Sequence, residues 1–114
     1  MTIIYHNPRC SKSRQTLQLL EKNGIQAEIR LYLTDTPSIE ELQALLSQLE
    51  IEPLTLMRTK EAIYKELGLN KESTDTERLQ AMQQNPILIE RPIVIHNNKA
   101  KIGRPPESVL ELFK

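Results

Sequence analysis

The chain has 114 residues, 39% of them apolar, and this length fits a single domain spanning residues 1–114 around one hydrophobic core. Its 15 Lys and Arg residues are balanced by 15 Asp and Glu residues, which argues against a dedicated nucleic-acid binder. No apolar run approaches the ~20 residues that span a bilayer, and no signal peptide is visible, so we expect a cytoplasmic protein without a membrane partner.

The first third of the chain is typical of a βαβ unit. Residues 2–5 (Thr-Ile-Ile-Tyr) are β-branched and aromatic and predict a short buried strand. From Ser11 onward, apolar residues recur at helical spacing until the Asn-Gly pair at 23–24, which is a helix stop signal. Residues 27–33 predict a second strand, which should run parallel to the first after a right-handed crossover.

A helical segment of about 50 residues follows, since two capping-box patterns introduce helices within it. Residues 38–41 (Ser-Ile-Glu-Glu) precede leucines at 42, 45, 46 and 49, the spacing of one helix face. Residues 61–67 predict a short helix ended by Gly68. Residues 74–77 (Thr-Asp-Thr-Glu) repeat the capping box and open a helix that ends near Asn85-Pro86.

The last quarter predicts a β-hairpin and a closing helix. Residues 92–96 and 99–102 flank the pair Asn97-Asn98, and adjacent Asn residues tolerate the positive φ that a two-residue turn requires. Residues 107–113 predict an amphipathic helix. This order of elements resembles a thioredoxin-like fold, an α/β fold with a mixed four-stranded sheet, carrying a helical insertion.

The single cysteine, Cys10, lies between the first strand and the first helix. Unpaired backbone N–H groups and the macrodipole at a helix N-terminus stabilise a thiolate, and the same donors can hold an oxyanion. Arg9, Lys12 and Arg14 would favour the thiolate, as would His6 if it were protonated. Two alternatives stay open, because a lone cysteine is often a small core residue and His6 can equally be structural.

One cysteine excludes an internal disulfide, a dithiol redox pair and a thiolate-rich metal site within one chain. Ser13 stands where a dithiol oxidoreductase would carry its second cysteine. Any redox cycle through Cys10 therefore needs an external thiol.

The balanced charge is unevenly distributed along the chain. Residues 9–14 carry three cations and residues 91–104 carry four, without an acid in either segment, whereas residues 31–57 carry five acids and no cation. One interpretation is ordinary surface patterning. The other is that the two basic segments converge in the fold and form an anion site.

Residues 6–14 (His-Asn-Pro-Arg-Cys-Ser-Lys-Ser-Arg) resemble the HNPxCxxSR signature of the glutaredoxin-coupled, ArsC-like arsenate reductase family. The resemblance continues in order, with similar spacing, through residues 31–33, 86–94 and 102–105. Ser11-Lys12 departs from the Gly-Thr pair typical of the resistance enzymes, and the short C-terminus resembles a YfgD-type subgroup.

This resemblance implies a reductase in which Cys10 attacks arsenate. It further implies that three arginines hold the oxyanion and its thiol adduct, namely Arg58, Arg91 and Arg104. Arginine suits that task because it stays protonated and offers a planar fork of donors. His6 joins the implied catalytic residues.

The substrate-binding residues implied by the resemblance are Ser11, Lys12, Ser13, Arg14 and Pro92. Thioredoxin-like proteins resemble one another in a cis-proline at the start of the third strand, which implies a cis bond between Arg91 and Pro92. The family also implies no bound cofactor and no metal, with glutathione as co-substrate and glutaredoxin as the source of the remaining electrons.

Two other functions remain open. A monothiol oxidoreductase acting on another oxidant would use the same Cys10 and Pro92. A non-enzymatic regulator resembling Spx would bind RNA polymerase through the same fold, but such regulators typically carry a CxxC switch, which Ser13 removes, and lack the full arginine set.

Overall fold

A computed structural model describes all residues, 1–114, and its contacts divide the chain into two units. The sheet unit comprises Met1–Asp35 and Arg91–Lys114, and the helical unit comprises Thr36–Glu90. The single domain expected from the sequence stays a prediction. None of the helices combines the length and the apolar character needed to cross a bilayer.

The sheet unit is built on a mixed four-stranded sheet in the order β2-β1-β3-β4. Its elements are β1 (Thr2–Tyr5), α1 (Ser11–Lys22), β2 (Glu28–Arg30), β3 (Ile93–His96), β4 (Lys99–Ile102) and a 3₁₀ helix (Pro106–Phe113). β1 pairs parallel with β2 and antiparallel with β3, and β3 pairs antiparallel with β4. The predicted fold class, thioredoxin-like with a mixed sheet, is confirmed.

The core of the sheet unit lies between the sheet and its two helices. Ile4 of β1 faces Ile29 of β2 and Val94 of β3 in the register of the sheet. Ile4 and Val94 are fully buried with Leu20 of α1 and Val109 of the 3₁₀ helix. Burying such side chains contributes about 1.5–3 kcal/mol each, which fixes α1 against the sheet.

The helical unit contains the short helices between β2 and β3. They are α2 (Ile39–Leu49), α3 (Pro53–Leu56), α4 (Ala62–Glu66), α5 (Asp75–Gln84) and a 3₁₀ helix (Pro86–Leu88). Both capping boxes are confirmed. The Ser38 hydroxyl accepts the N–H of Glu41 at 3.1 Å, and Thr74 does the same for Glu77.

The hairpin turn is confirmed, with φ of 50° at Asn97 and 64° at Asn98. The bond between Arg91 and Pro92 is cis, as the thioredoxin-like resemblance implied. A second cis bond, between Arg104 and Pro105, was not predicted.

Two predicted elements need correction, and one helix was not predicted. The second strand was expected over 27–33 but ends at Arg30, because the N–H groups of Thr34 and Asp35 turn back to the carbonyl of Leu31. The closing helix is a 3₁₀ helix rather than an α-helix. Helix α3 was not predicted, although Pro53 occupies its first helical position, because four residues are too few to give a periodic pattern.

Candidate active site

Cys10 lies at the N-cap position of α1, with extended backbone, and is 9% exposed. The loop before it is held at both ends. The N–H of His6 donates to the carbonyl of Arg30 on β2 at 2.9 Å, and the N–H of Cys10 donates to the carbonyl of Asn7 at 3.0 Å. The Asn7 side chain accepts the N–H of Arg9 at 3.0 Å. The strand end and this turn therefore present the sulfur at the start of the helix.

A buried hydrogen-bond network joins the loop before Cys10, through His6 and Asn7, to Ser13 of α1. Ser13 Oγ accepts the N–H of Asn7 at 3.0 Å and lies 2.6 Å from His6 Nδ1. Ser13 is fully buried, and its hydroxyl is engaged with His6 and Asn7. The side chain of Ser13 therefore supports the loop, and only its backbone N–H faces the sulfur side of the helix.

Arg104 and Arg91 bring the second basic segment to Cys10. Arg104 Nη2 lies 3.7 Å from Cys10 Sγ, and Arg104 Nε donates to the carbonyl of Arg91 at 2.8 Å. The Nε and Nη1 atoms of Arg91 are shielded from solvent. Of the two interpretations of the basic segments, convergence holds for these three residues, and their chemical roles stay predictions.

Gly103 makes this convergence possible. Its N–H donates to the carbonyl of Pro92 at 2.9 Å. A Cβ at Gly103 would lie 2.6 Å from Thr16 Oγ1 on α1 and 2.8 Å from Pro92 Cγ. A side chain here would collide with Thr16 and Pro92, and at least one of the neighbouring groups would have to shift.

The pKa of Cys10 is lowered from its ordinary value. Burial acts to raise it, but the backbone N–H groups of Ser13 and Lys12 and the guanidinium groups of Arg91 and Arg104 outweigh burial. The thiolate is the reactive form of a cysteine, so the site favours a nucleophile. The alternative interpretation, an inert core cysteine, requires a raised pKa instead.

The predicted side-chain contribution of Arg9, Lys12 and Arg14 needs correction, and the condition set for His6, a protonated imidazole, is not met. Burial and the charge of Arg14 lower the pKa of His6, so its imidazole is neutral near pH 7 and offers Cys10 no positive charge. The charges that act on Cys10 come from Arg91 and Arg104 rather than from the side chains of residues 9–14. Burial depends on the tertiary structure, and the local sequence carried no sign of it.

The other predicted binding residues lie around the start of α1. Ser11 and Lys12 have exposed side chains, and Lys12 acts on Cys10 through its backbone N–H. Arg14 is exposed and donates from Nη1 to the carbonyl of Pro8 at 2.9 Å. Pro92 is buried beside Gly103.

Arg58, the remaining predicted arginine, belongs to the helical unit. Its N–H donates to the carbonyl of Leu88 at 2.7 Å, next to the bridge between Met57 and Ile89. Its guanidinium lies 3.7 Å from a carboxylate oxygen of Glu61 and 3.8 Å from one of Glu90. Its side chain is therefore held by two acids of the same unit.

Sequence reasoning missed three residues that shape the site. Gly103 and Thr16 set the approach of β4 to α1, and Asn7 ties the loop through both its backbone and its side chain. A glycine directly before a candidate arginine was a usable signal of close approach. No group of three or more His, Cys, Asp or Glu side chains is arranged to hold a metal ion.

Comparison with known proteins gives a consistent result. A model of the ArsC family matches residues 5–112. An arsenate reductase of Haemophilus influenzae is 54% identical over 113 residues, which are 97% of each chain. "Uncharacterized protein YfgD" of Escherichia coli K12 is 55% identical over 111 residues, 96% of this chain and 93% of that one. The structure of "Arsenate reductase from Vibrio cholerae" is 51% identical, with a TM-score of 0.95 over 97% of this chain and 96% of that chain.

The matched residues 5–112 include Cys10, Arg91 and Arg104, the three residues that meet at the start of α1. The match therefore spans nearly the whole chain, including the segments on which these three residues lie. The chain belongs to the ArsC family.

Proposed function

We propose that this chain reduces arsenate to arsenite, with Cys10 as the nucleophile. The observation that carries the proposal is a single thiol of lowered pKa with a guanidinium nitrogen 3.7 Å from its sulfur. Membership of the ArsC family and relatives named arsenate reductase supply the substrate class.

In the first step the Cys10 thiolate attacks the arsenic atom. A sulfur–arsenic bond forms, one arsenic–oxygen bond breaks, and the oxygen leaves as water after protonation. Arsenate is an anion, so a thiolate would be repelled without compensating charge. Arg91 and Arg104 are positioned to supply it, because both already act on the Cys10 sulfur.

The start of α1 would hold the oxyanion in this step. We propose that the backbone N–H groups of Ser11, Lys12 and Ser13 donate to it, since α1 begins without a side-chain cap or an acidic residue in its first turn. Following the family resemblance, Arg58 is proposed as a third arginine for the oxyanion, in exchange for its pairing with Glu61 and Glu90.

The electrons come from thiols. Glutathione attacks the adduct, and a disulfide forms between glutathione and Cys10 while arsenic(V) takes up two electrons and leaves as arsenite. A glutaredoxin thiol then attacks the glutathione sulfur and releases the Cys10 thiol. Cys10 is the one cysteine of the chain, so an external thiol is required at this point. We place the reaction in the cytoplasm, where such thiols stay reduced.

A second candidate is a monothiol oxidoreductase that acts on another small oxidant or on glutathionylated proteins. Ser13 is compatible with both candidates, because it replaces an internal resolving cysteine and leaves the reactive thiol of Cys10 in place. The two candidates share Cys10 and differ in whether arsenate is turned over.

The test is arsenate-dependent oxidation of NADPH in the presence of glutathione, glutaredoxin and glutathione reductase. We expect saturable turnover that falls to the background rate in Cys10→Ser, which removes the nucleophile. Arg9→Ala is the matched control, because its exposed side chain lies next to Cys10 without acting on the thiol. Turnover retained in Cys10→Ser would refute the nucleophile. No turnover in a folded protein whose thiol still reacts would favour the monothiol oxidoreductase.

A further inference from the structure

The two edges of the sheet are built differently. At the β4 edge, exposed Lys99 and Lys101 present charges of the kind that keep sheet edges from pairing. At the β2 edge, Ile29 is 49% exposed, and Leu31 and Leu33 just beyond the strand are 45% and 38% exposed. The β2 edge therefore presents apolar side chains beside Glu28 and Arg30, where the β4 edge presents lysines.

The backbone of the β2 edge is oriented for pairing. The carbonyl of Arg30 accepts the N–H of His6, so the backbone groups of Arg30 face the β1 side. Backbone groups alternate in direction along a strand, so the N–H and the carbonyl of Ile29 point away from β1, towards the open edge. Ile29 thus offers a donor and an acceptor to an incoming strand.

A groove of about 680 Å³ lies beside Ile29, between α1 and β2. Its apolar lining includes Leu17, Ile25 and Ala27. The side chain of Ile29 is on the same side of the sheet as Ile4, its register partner, whose neighbours are the core residues packed against α1. An added strand would cover Ile29 and this groove together.

We propose that the β2 edges of two copies of this chain pair antiparallel about a two-fold axis through Ile29. The axis places Ile29 opposite its own copy, where a hydrogen-bonded pair exchanges both N–H···O bonds. The same register places Glu28 of each chain opposite Arg30 of the other. Opposite residues in such a pair have Cβ atoms about 4.5–5.5 Å apart, so two ion pairs form by symmetry.

Contacts within the same chain already hold the Arg30 side chain in place for this pairing. Its guanidinium carbon lies 5.3 Å from the centre of the Tyr5 ring, and its Nε lies 3.5 Å from a carboxylate oxygen of Asp35. These contacts hold Arg30 on the face of the sheet that exposed Glu28 shares, since the two residues are two apart on the strand.

The order of charges on β2, Glu28 and then Arg30 on one face, favours a second copy of this chain over a foreign strand. Any extended strand could pair with the backbone of Ile29, but a complementary strand must place an acid and a base on one face two residues apart. The chain supplies that order to itself through the two-fold axis. Because β2 is only three residues long, we expect reversible, concentration-dependent association.

The first test is sedimentation velocity of the full chain, from low micromolar to several hundred micromolar protein under reducing conditions. We expect the mass to rise from 13.2 kDa towards twice that value in the wild type and to stay at 13.2 kDa in Glu28→Arg. Lys99→Glu reverses a charge at the other edge and should dimerise like the wild type. A wild type that stays monomeric, or Glu28→Arg that dimerises equally, would overturn the proposal.

Reversing the charges of Glu28 and Arg30 in separate variants tests the register of the pairing. Glu28→Arg and Arg30→Glu should each be monomeric alone and should form a mixed dimer together, because both opposing pairs then regain opposite charges. Failure of two folded variants to associate on mixing would contradict the register.

Because Arg30→Glu also loses its ion pair with Asp35, a cross-link provides an independent measurement. In a Cys10→Ser background, Ile29→Cys should give a disulfide-linked dimer on mild oxidation, since the paired Cα atoms would be about 5.5 Å apart. Lys99→Cys in that background is the control and should stay largely uncross-linked. Equal cross-linking of the two variants would overturn the proposal.

Discussion

Helices α1 and α5 begin in opposite ways. At α5 the Thr74 hydroxyl accepts the N–H of Glu77, and the Glu77 carboxylate accepts the N–H of Thr74, so the helix end is closed by its own side chains. The pKa of Glu77 is lowered, most by the hydrogen bond from the backbone N–H of Thr74 and next by the hydrogen bond with the Thr74 side chain. At α1 the cap position is Cys10, which makes no side-chain capping bond.

The difference separates a structural helix end from a reactive one. Both ends stabilise a negative charge through unpaired backbone N–H groups. At α5 that charge is a capping carboxylate, and the result is a stable helix. At α1 it is the Cys10 thiolate, supported by Arg91 and Arg104 from another part of the chain. Leaving α1 without a side-chain cap keeps its donors available for the Cys10 thiolate and for the proposed oxyanion.

Of the changes at the two kinds of helix end, Arg91→Ala should have the largest effect, on both arsenate turnover and the pKa of Cys10. Losing one charged partner of a buried group costs about 1.5–3 kcal/mol, so we expect arsenate turnover to fall about 10- to 100-fold. The pKa of Cys10 should rise, because the charge of Arg91 now lowers it. Coupled NADPH oxidation and thiol titration measure the two effects. Arg91→Lys keeps the charge and should recover the pKa better than the turnover. An unchanged rate in Arg91→Ala would refute its contact with the oxyanion.

A smaller effect is expected at a closed helix end. Ser38→Ala removes the hydroxyl that caps α2, and the free energy of unfolding should fall by about 1 kcal/mol. Urea denaturation measures this change, and titration of Cys10 in the same variant should give the wild-type pKa. A thiol pKa that moved with the Ser38 cap would contradict the separation of structural and reactive helix ends.

The smallest effect is expected from the pH dependence contributed by His6. Burial lowers its pKa in the folded protein below the value of about 6.5 found in unfolded chains. Between these two values the unfolded chain binds more protons, so the stability contributed by neutral His6 is lost as pH falls below about 6.5.

His6→Gln cannot titrate and should therefore lose less stability than the wild type on going from about pH 7.5 to about pH 5.5. Urea denaturation of both proteins at the two pH values measures the difference. An equal loss in both would show that the pKa of His6 is the same in the folded and unfolded protein, which would contradict its lowering by burial.

Local signals in the sequence predicted the elements of the fold well. The capping boxes at Ser38 and Thr74 and the turn at Asn97-Asn98 each depend on a few adjacent residues, and all three are present. The end of β2 depended on the turn that follows Leu31, which competes with a strand pattern through residue 33.

The site was predictable only in part. The position of Cys10 at a helix N-terminus followed from the local pattern, but the meeting of Arg91 and Arg104 with it is tertiary and came from family resemblance. The neutral state of His6 depends on burial against its surroundings, and the fit at Gly103 depends on the distance between α1 and β4. Neither quantity is present in a stretch of sequence.

The most direct test of the account is the titration of Cys10 itself. The chain has one cysteine, so the ultraviolet absorbance of the thiolate, measured against Cys10→Ser, reports this group alone. We expect an apparent pKa below the ordinary value of about 8.5, with the rate of alkylation by iodoacetamide rising through the same midpoint. A midpoint at or above that value would contradict the claim that the start of α1 and its two arginines create a nucleophile.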